Sequence, residues 1–236
     1  MLENRPLILW DLDGTILDAS LGILPALEEA FQNRGFAVPE APVLRRFIGP
    51  QILDSLALYT DIPVEYHYEI LGEFKMVTYP RHYKNAQLYP GMLELHTELQ
   101  ELGALQGIAS QKPEHLVIDV LKSYGLEHLF DVVSGSADDF GQINSHLPRD
   151  KPGILRRALS MATSKADVSS SVMVGDRAFD AEAAVSASIP FIGVNWGYAS
   201  EGELEQFKCP VAADVQELRT LLLTFIQDIC SPSVSG

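Results

Sequence analysis

Cysteine is nearly absent: the only two, Cys209 and Cys230, show neither CxxC nor Cys/His ligand spacing. A disulfide framework and a zinc site are therefore not indicated, and a reducing, cytoplasmic home is the expectation. Long apolar runs are missing too, since none reaches the roughly 18 residues a spanning helix needs. The opening MLENRP has no basic stretch, and the four apolar residues after it end at Asp11, so neither a signal peptide nor a membrane span is expected. Basic residues are scarce, with 17 Lys and Arg against 32 Asp and Glu, a formal charge of −15. Such a surface repels nucleic-acid backbones and anionic lipid alike, which argues against both as partners. What remains is ordinary globular composition, 47% hydrophobic and 21% charged over 236 residues. The last six residues, SPSVSG, are small and polar and are expected to fray.

From about residue 85 onward, short apolar runs alternate with amphipathic stretches, the pattern of a parallel sheet with crossover helices. Strands are expected at 7–10, 105–109, 132–134, 172–174 and 191–194. Helices are expected at 90–102, 113–123, 152–161, 178–186 and 214–229, the last capped by Asp214. Residues 21–86 contain no convincing strand and read as a helical insert. Leu24, Leu27 and Phe31 mark the apolar face of its first helix and Gly35 its stop. The expected architecture is α/β: a core of residues 1–17 and 87–236 with a helical cap of residues 18–86.

The first strand runs into Asp11-Leu12-Asp13-Gly14-Thr15. Two carboxylates two residues apart thus leave the C-terminal edge of the sheet, where open α/β folds bind ligands. Alternate residues of an extended segment share a face, and Gly14 lets the backbone approach a ligand closely. Two neighbouring carboxylates are tolerable if a divalent cation binds one and the other is kept protonated, a division suited to a nucleophile and a general acid/base. Ser110, in Ser110-Gln111-Lys112 after the second strand, offers a hydroxyl and backbone amides to an anion. Lys151 stands just before the next helix and offers a point charge to a phosphate. Val172-Met173-Val174-Gly175-Asp176 ends the fourth strand, and one turn of helix returns Asp180 to the same side. These carboxylates make a hard-oxygen site for Mg²⁺.

Four such groups in order at the ends of successive strands resemble the haloacid dehalogenase superfamily of phosphohydrolases. Its motifs match LILWDLDGT, GIASQKP, the lysine of RDKPGILRRAL, and VMVGDRAFDAEAA. FIGP, LYPGM and IGVNWGY look like its phosphoglycolate phosphatase and 5′-nucleotidase-like branch. The resemblance implies that Asp11 is the nucleophile forming an aspartyl phosphate and Asp13 the general acid/base. It implies that Ser110, Lys151 and Gly14 serve the phosphate. It assigns Mg²⁺ to the Asp11 carboxylate, the Asp13 carbonyl and Asp176, supported by Asp180. The superfamily's dehalogenases lack the second aspartate, so Asp13 argues for phosphoryl chemistry. The expected enzyme is a Mg²⁺-dependent phosphatase acting on a small phosphorylated metabolite: phosphoglycolate, a nucleoside monophosphate or a sugar phosphate. The cap is expected to close over the site, with Arg45 or Arg46 as candidates to meet an anionic leaving group. A phosphotransferase of the β-phosphoglucomutase type and a non-catalytic phosphoacceptor are the alternatives.

Overall fold

The computed structural model describes residues 5–138 and 146–230. The tail expected to fray, 231–236, lies outside them. Eight strands occur among the described residues: β1 (Arg5–Trp10), β2 (Leu17–Asp18), β3 (Gln87–Leu88), β4 (Leu105–Pro113), β5 (Val132–Ser136), β6 (Val168–Gly175), β7 (Phe191–Val194) and β8 (Val211–Ala212). The chain divides into two units, residues Leu17–Leu88 and the segments on either side of them.

In the larger unit six strands form one sheet in the order β5-β4-β1-β6-β7-β8, and every pairing is parallel. The expected α/β, Rossmann-like core is therefore present. Parallel strands require crossovers, and helices Met92–Glu101, Glu114–Ser123, Lys151–Lys165 and Ala178–Ala187 supply them. β1 is central, and Leu7 to Trp10 are wholly buried, as expected where helices cover both faces of a parallel sheet. Leu7 and Leu9 pack in one cluster with Met173, Ile154, Leu155, Ala158, Ala181 and Ala184. The alanines let the two helices carrying them lie close to the strands. Trp10 rests on His96, ring centroids 4.5 Å apart, and His96 meets Phe130 edge-on. The closing helix Val215–Cys230 has the expected aspartate cap, with Glu217 N–H donating to Asp214 Oδ1 at 2.9 Å.

The chain leaves β1 for β4 and β5 on one side, then returns to β6 on the other. The strand order reverses at β1, and such switch points open a crevice at the C-terminal strand ends. Register sharpens this: Ile108 of β4, Trp10 of β1 and Val174 of β6 are neighbours in one row. Ser110, Asp11 and Asp176 all lie one or two residues beyond it.

Two expectations on element boundaries are corrected. β4 runs through Ser110 to Pro113 instead of ending at Ala109, with a register irregularity between Ala109 and Pro113. Lys151 is the first residue of its helix rather than the residue before it.

In the unit Leu17–Leu88, β2 and β3 pair antiparallel and helix Ser20–Asn33 carries the core. Leu27 and Phe31 are buried as expected, but Ile23 is buried where Leu24 is half-buried. Gly35 follows the helix with φ +76°, a conformation that ends helices. Buried Glu73 is satisfied by Asn33 and Arg34, at 2.9 and 2.7 Å. Arg46 lies over the Tyr59 ring, 5.6 Å from its centroid, and both line a hollow of about 320 Å³ with Val43, Leu58, Thr60 and Asp61.

Candidate active site

The turn after β1 is tight, because Ile16 N–H donates back to Leu12 O at 3.0 Å and Gly14 takes φ +93°. A side chain at Gly14 would collide with the Asp176 carboxylate and the Tyr198 ring, so glycine is required twice over. Asp11 N–H donates to Val174 O at 2.9 Å, continuing the β1–β6 ladder and fixing the residue against β6. Lys151 is set by the start of its helix, where Asp150 accepts from Gly153 N–H at 3.3 Å and Pro152 favours the first turn. A lysine there opposes the helix dipole. Its partners supply the compensation.

Lys151 Nζ lies 2.5 Å from Asp11 Oδ1 and 2.6 Å from Asp180 Oδ1, with only 4% of its side chain exposed. Burial alone would lower the Lys151 pKa, but Asp11 and Asp180 outweigh it and raise it above the ordinary lysine value. Asp176 is fully buried; it accepts from Tyr198 N–H at 2.7 Å and more weakly from Thr15 Oγ1 at 3.5 Å. Burial, then the charges of Asp11 and Asp180, push its pKa well above the carboxylate range. Asp180 accepts from Arg177 N–H at 3.1 Å, and burial raises its pKa to about 6 despite Lys151.

Oxygen atoms of Asp11, Asp176 and Asp180 all lie within 4.8 Å of one another. Three carboxylates gathered beside one ammonium group are an excess of buried negative charge, which a divalent cation would relieve. All-oxygen donors suit Mg²⁺ rather than a thiophilic metal, so the residues fit that ion. The Asp13 carboxylate is directed elsewhere, onto Lys112 Nζ at 2.7 Å. Ser110 is buried within β4, three residues before its end, and accepts from Lys112 N–H at 3.3 Å. All the singled-out residues of the larger unit thus stand at the C-terminal edge of the sheet. Arg45 and Arg46 lie in the other unit.

Residues 8–194 match the family described as haloacid dehalogenase-like hydrolase. The chain belongs to that family. Phosphoglycolate phosphatase from Vibrio cholerae is 30% identical over 84% of this chain and 87% of that protein. Tyrosine-protein kinase PtkA from Mycobacterium tuberculosis is 28% identical over 93% of this chain and 73% of that protein. In fold, the chain is similar to a predicted phosphatase from Clostridium acetobutylicum, with a TM-score of 0.81 over 94% of this chain and all of that one, at 24% identity. Phosphatase activity, the enzyme class expected from the sequence, is supported by the family and its relatives. No helix among the described residues is long and apolar enough to cross a membrane.

Three participants were missed from the sequence. Lys112 lies inside GIASQKP, but its partner Asp13 is 99 positions away, so no local pattern marks it. Tyr198 contributes a backbone N–H, which carries no residue signature. Glu203 accepts from Arg177 Nε, Ala178 N and Ser200 N, contacts across as many as 26 positions that no local pattern reveals.

Proposed function

We propose that this haloacid dehalogenase-like protein is a Mg²⁺-dependent, cytoplasmic phosphatase hydrolysing a small phosphorylated metabolite through an aspartyl phosphate on Asp11. Phosphoglycolate, a nucleoside monophosphate or a sugar phosphate is its substrate. The observation that carries this reading is the buried cluster of Asp11, Asp176 and Asp180 at the strand-order reversal, with Lys151 Nζ bonded to Asp11 and Asp180.

A dianionic phosphate cannot approach Asp11 unless the local negative field is cancelled. Lys151 supplies one positive charge there. The Asp11 and Asp176 carboxylates and the Asp13 carbonyl would hold Mg²⁺, supported by Asp180; the ion supplies charge neutralisation for the phosphoryl group. Asp11 attacks phosphorus, forming the P–O bond to its carboxylate while the ester P–O bond breaks. Asp13 gives its proton to the leaving oxygen. Asp13 then takes a proton from water, whose oxygen attacks phosphorus and frees inorganic phosphate and Asp11. Ser110 and Lys151 hold phosphoryl oxygens throughout, and Gly14 keeps the loop close to them. Residues 18–86 are read as the cap that selects the leaving group.

The similarity to a tyrosine-protein kinase favours a second reading, in which a hydroxyl acceptor replaces water in the second step. A phosphate-release screen over phosphoglycolate, nucleotides and sugar phosphates, with and without Mg²⁺, tests the proposal. Product analysis separates the readings, since hydrolysis releases inorganic phosphate and transfer conserves it in organic form. Turnover that is unaffected by stripping divalent cations would overturn the metal assignment.

A further inference from the structure

Glu203 lies outside every motif named so far, yet its carboxylate joins two segments that meet at Asp176. Oε1 accepts from Arg177 Nε and Ala178 N–H, both at 2.8 Å, and Oε2 accepts from Ser200 N–H at 2.9 Å. The first two donors belong to the turn between Asp176 and Asp180. The third closes the segment 196–200. Inside that segment Tyr198 N–H donates to Asp176 Oδ2 at 2.7 Å, and Trp196 Nε1 donates to Thr15 O at 3.2 Å. Gly197 is so near that a Cβ there would collide with the Asp176 carboxylate. The segment therefore forms one wall against Asp176, and Glu203 pins its far end with charge-assisted bonds, the stronger class of hydrogen bond.

We propose that Glu203 is a positioning residue for the carboxylate centre: by clamping segment 196–200 to the Asp176–Asp180 turn, it aims the Tyr198 N–H at Asp176 and sets how that carboxylate presents its oxygens to a divalent cation. The proposal rests on the reading of Asp176 as a Mg²⁺ ligand. Glu203 touches neither carboxylate itself and acts through the Tyr198 N–H on Asp176 and the Arg177 N–H on Asp180, and outer partners of that kind typically change metal affinity by roughly 10–100-fold when removed. A glutamate that merely held the loop would change the melting temperature and leave metal affinity alone.

The test is Mg²⁺ titration by calorimetry on the full chain for wild type, Glu203→Ala and Glu203→Gln, with melting temperatures recorded beside it. Glu203→Gln keeps an acceptor for Arg177 and Ala178, loses the bond to Ser200, and decides the matter if the alanine variant does not fold. The expected result is Mg²⁺ binding weakened by about tenfold in Glu203→Gln and by up to about 100-fold in Glu203→Ala. A dissociation constant equal to wild type in every folded variant, whatever the melting temperature does, overturns the proposal. Absence of Mg²⁺ binding in the wild type would instead defeat the metal reading itself, and the proposal with it.

Discussion

Lys112 Nζ donates to Asp13 Oδ2 at 2.7 Å, and the two side chains are only 7% and 12% exposed. The lysine therefore fixes the direction of the carboxylate assigned to proton transfer. Removing a hydrogen bond to a charged group costs about 1.5–3 kcal/mol. Lys112→Met is expected to lower kcat/KM by roughly 10–100-fold, with Lys112→Arg less impaired. Steady-state phosphate release at saturating Mg²⁺ measures it. Wild-type kinetics in the methionine variant would remove Lys112 from the site.

Asp176 gives a prediction of opposite sign for stability and function. Burial and two neighbouring carboxylates raise its pKa, so its ionised form is held at a cost in the ion-free protein. Asp176→Asn removes that charge, and its side-chain oxygen still accepts from Tyr198 N–H. In the absence of divalent cations at neutral pH, the variant should melt higher than wild type by a few degrees, corresponding to about 1–2 kcal/mol. Added Mg²⁺ should stabilise the wild type and not the variant, which should also be inactive. Differential scanning calorimetry with and without Mg²⁺ reads both effects.

The parts of this protein that could be read from the chain alone are those whose signal is local. Leu7 to Trp10 form an unbroken apolar run because β1 is covered on both faces, and the carboxylates Asp11, Asp13, Asp176 and Asp180 follow strands of that kind. β8 escaped because two residues, Val211 and Ala212, make no pattern. The end of β4 differs because Ser110, Gln111 and Lys112 are polar and read as loop, whereas the strand runs through them to Pro113 across a register irregularity. Lys112 and Glu203 were invisible for another reason: the partners that orient them are 99 and up to 26 positions away, and only the folded sheet edge brings them together.

His96 makes stability depend on pH at a position outside the carboxylate centre. It is buried between Trp10 and Phe130, with Nδ1 2.7 Å from Gln106 Oε1. Burial lowers its pKa from 6.5 to about 4 in spite of that bond. The unfolded chain therefore binds a proton that the native state refuses between these values. The contribution to stability is complete above pH 6.5 and is lost as pH falls to about 4, a change of about 3 kcal/mol. Urea titrations of wild type and His96→Gln across this window should show the difference between the two curves shifting by that amount, with wild type the more acid-sensitive. Parallel curves would contradict the assignment.

Asp11→Asn isolates the chemical step from the scaffold. The backbone of Asp11 is held by its N–H bond to Val174 O at 2.9 Å, which the substitution leaves intact. Asparagine matches the carboxylate in shape, and Lys151 retains Asp180 at 2.6 Å. The fold should therefore survive, with circular dichroism unchanged and the melting temperature within a few degrees of wild type. The amide oxygen is far too weak a nucleophile to form the acyl phosphate. Turnover of any substrate found in the screen should fall by about 10⁴-fold or more, and no phosphoryl group should be trapped on the protein by acid quench. Near-normal phosphate release from a folded Asp11→Asn variant would transfer the attack to another group and end the aspartyl-phosphate mechanism.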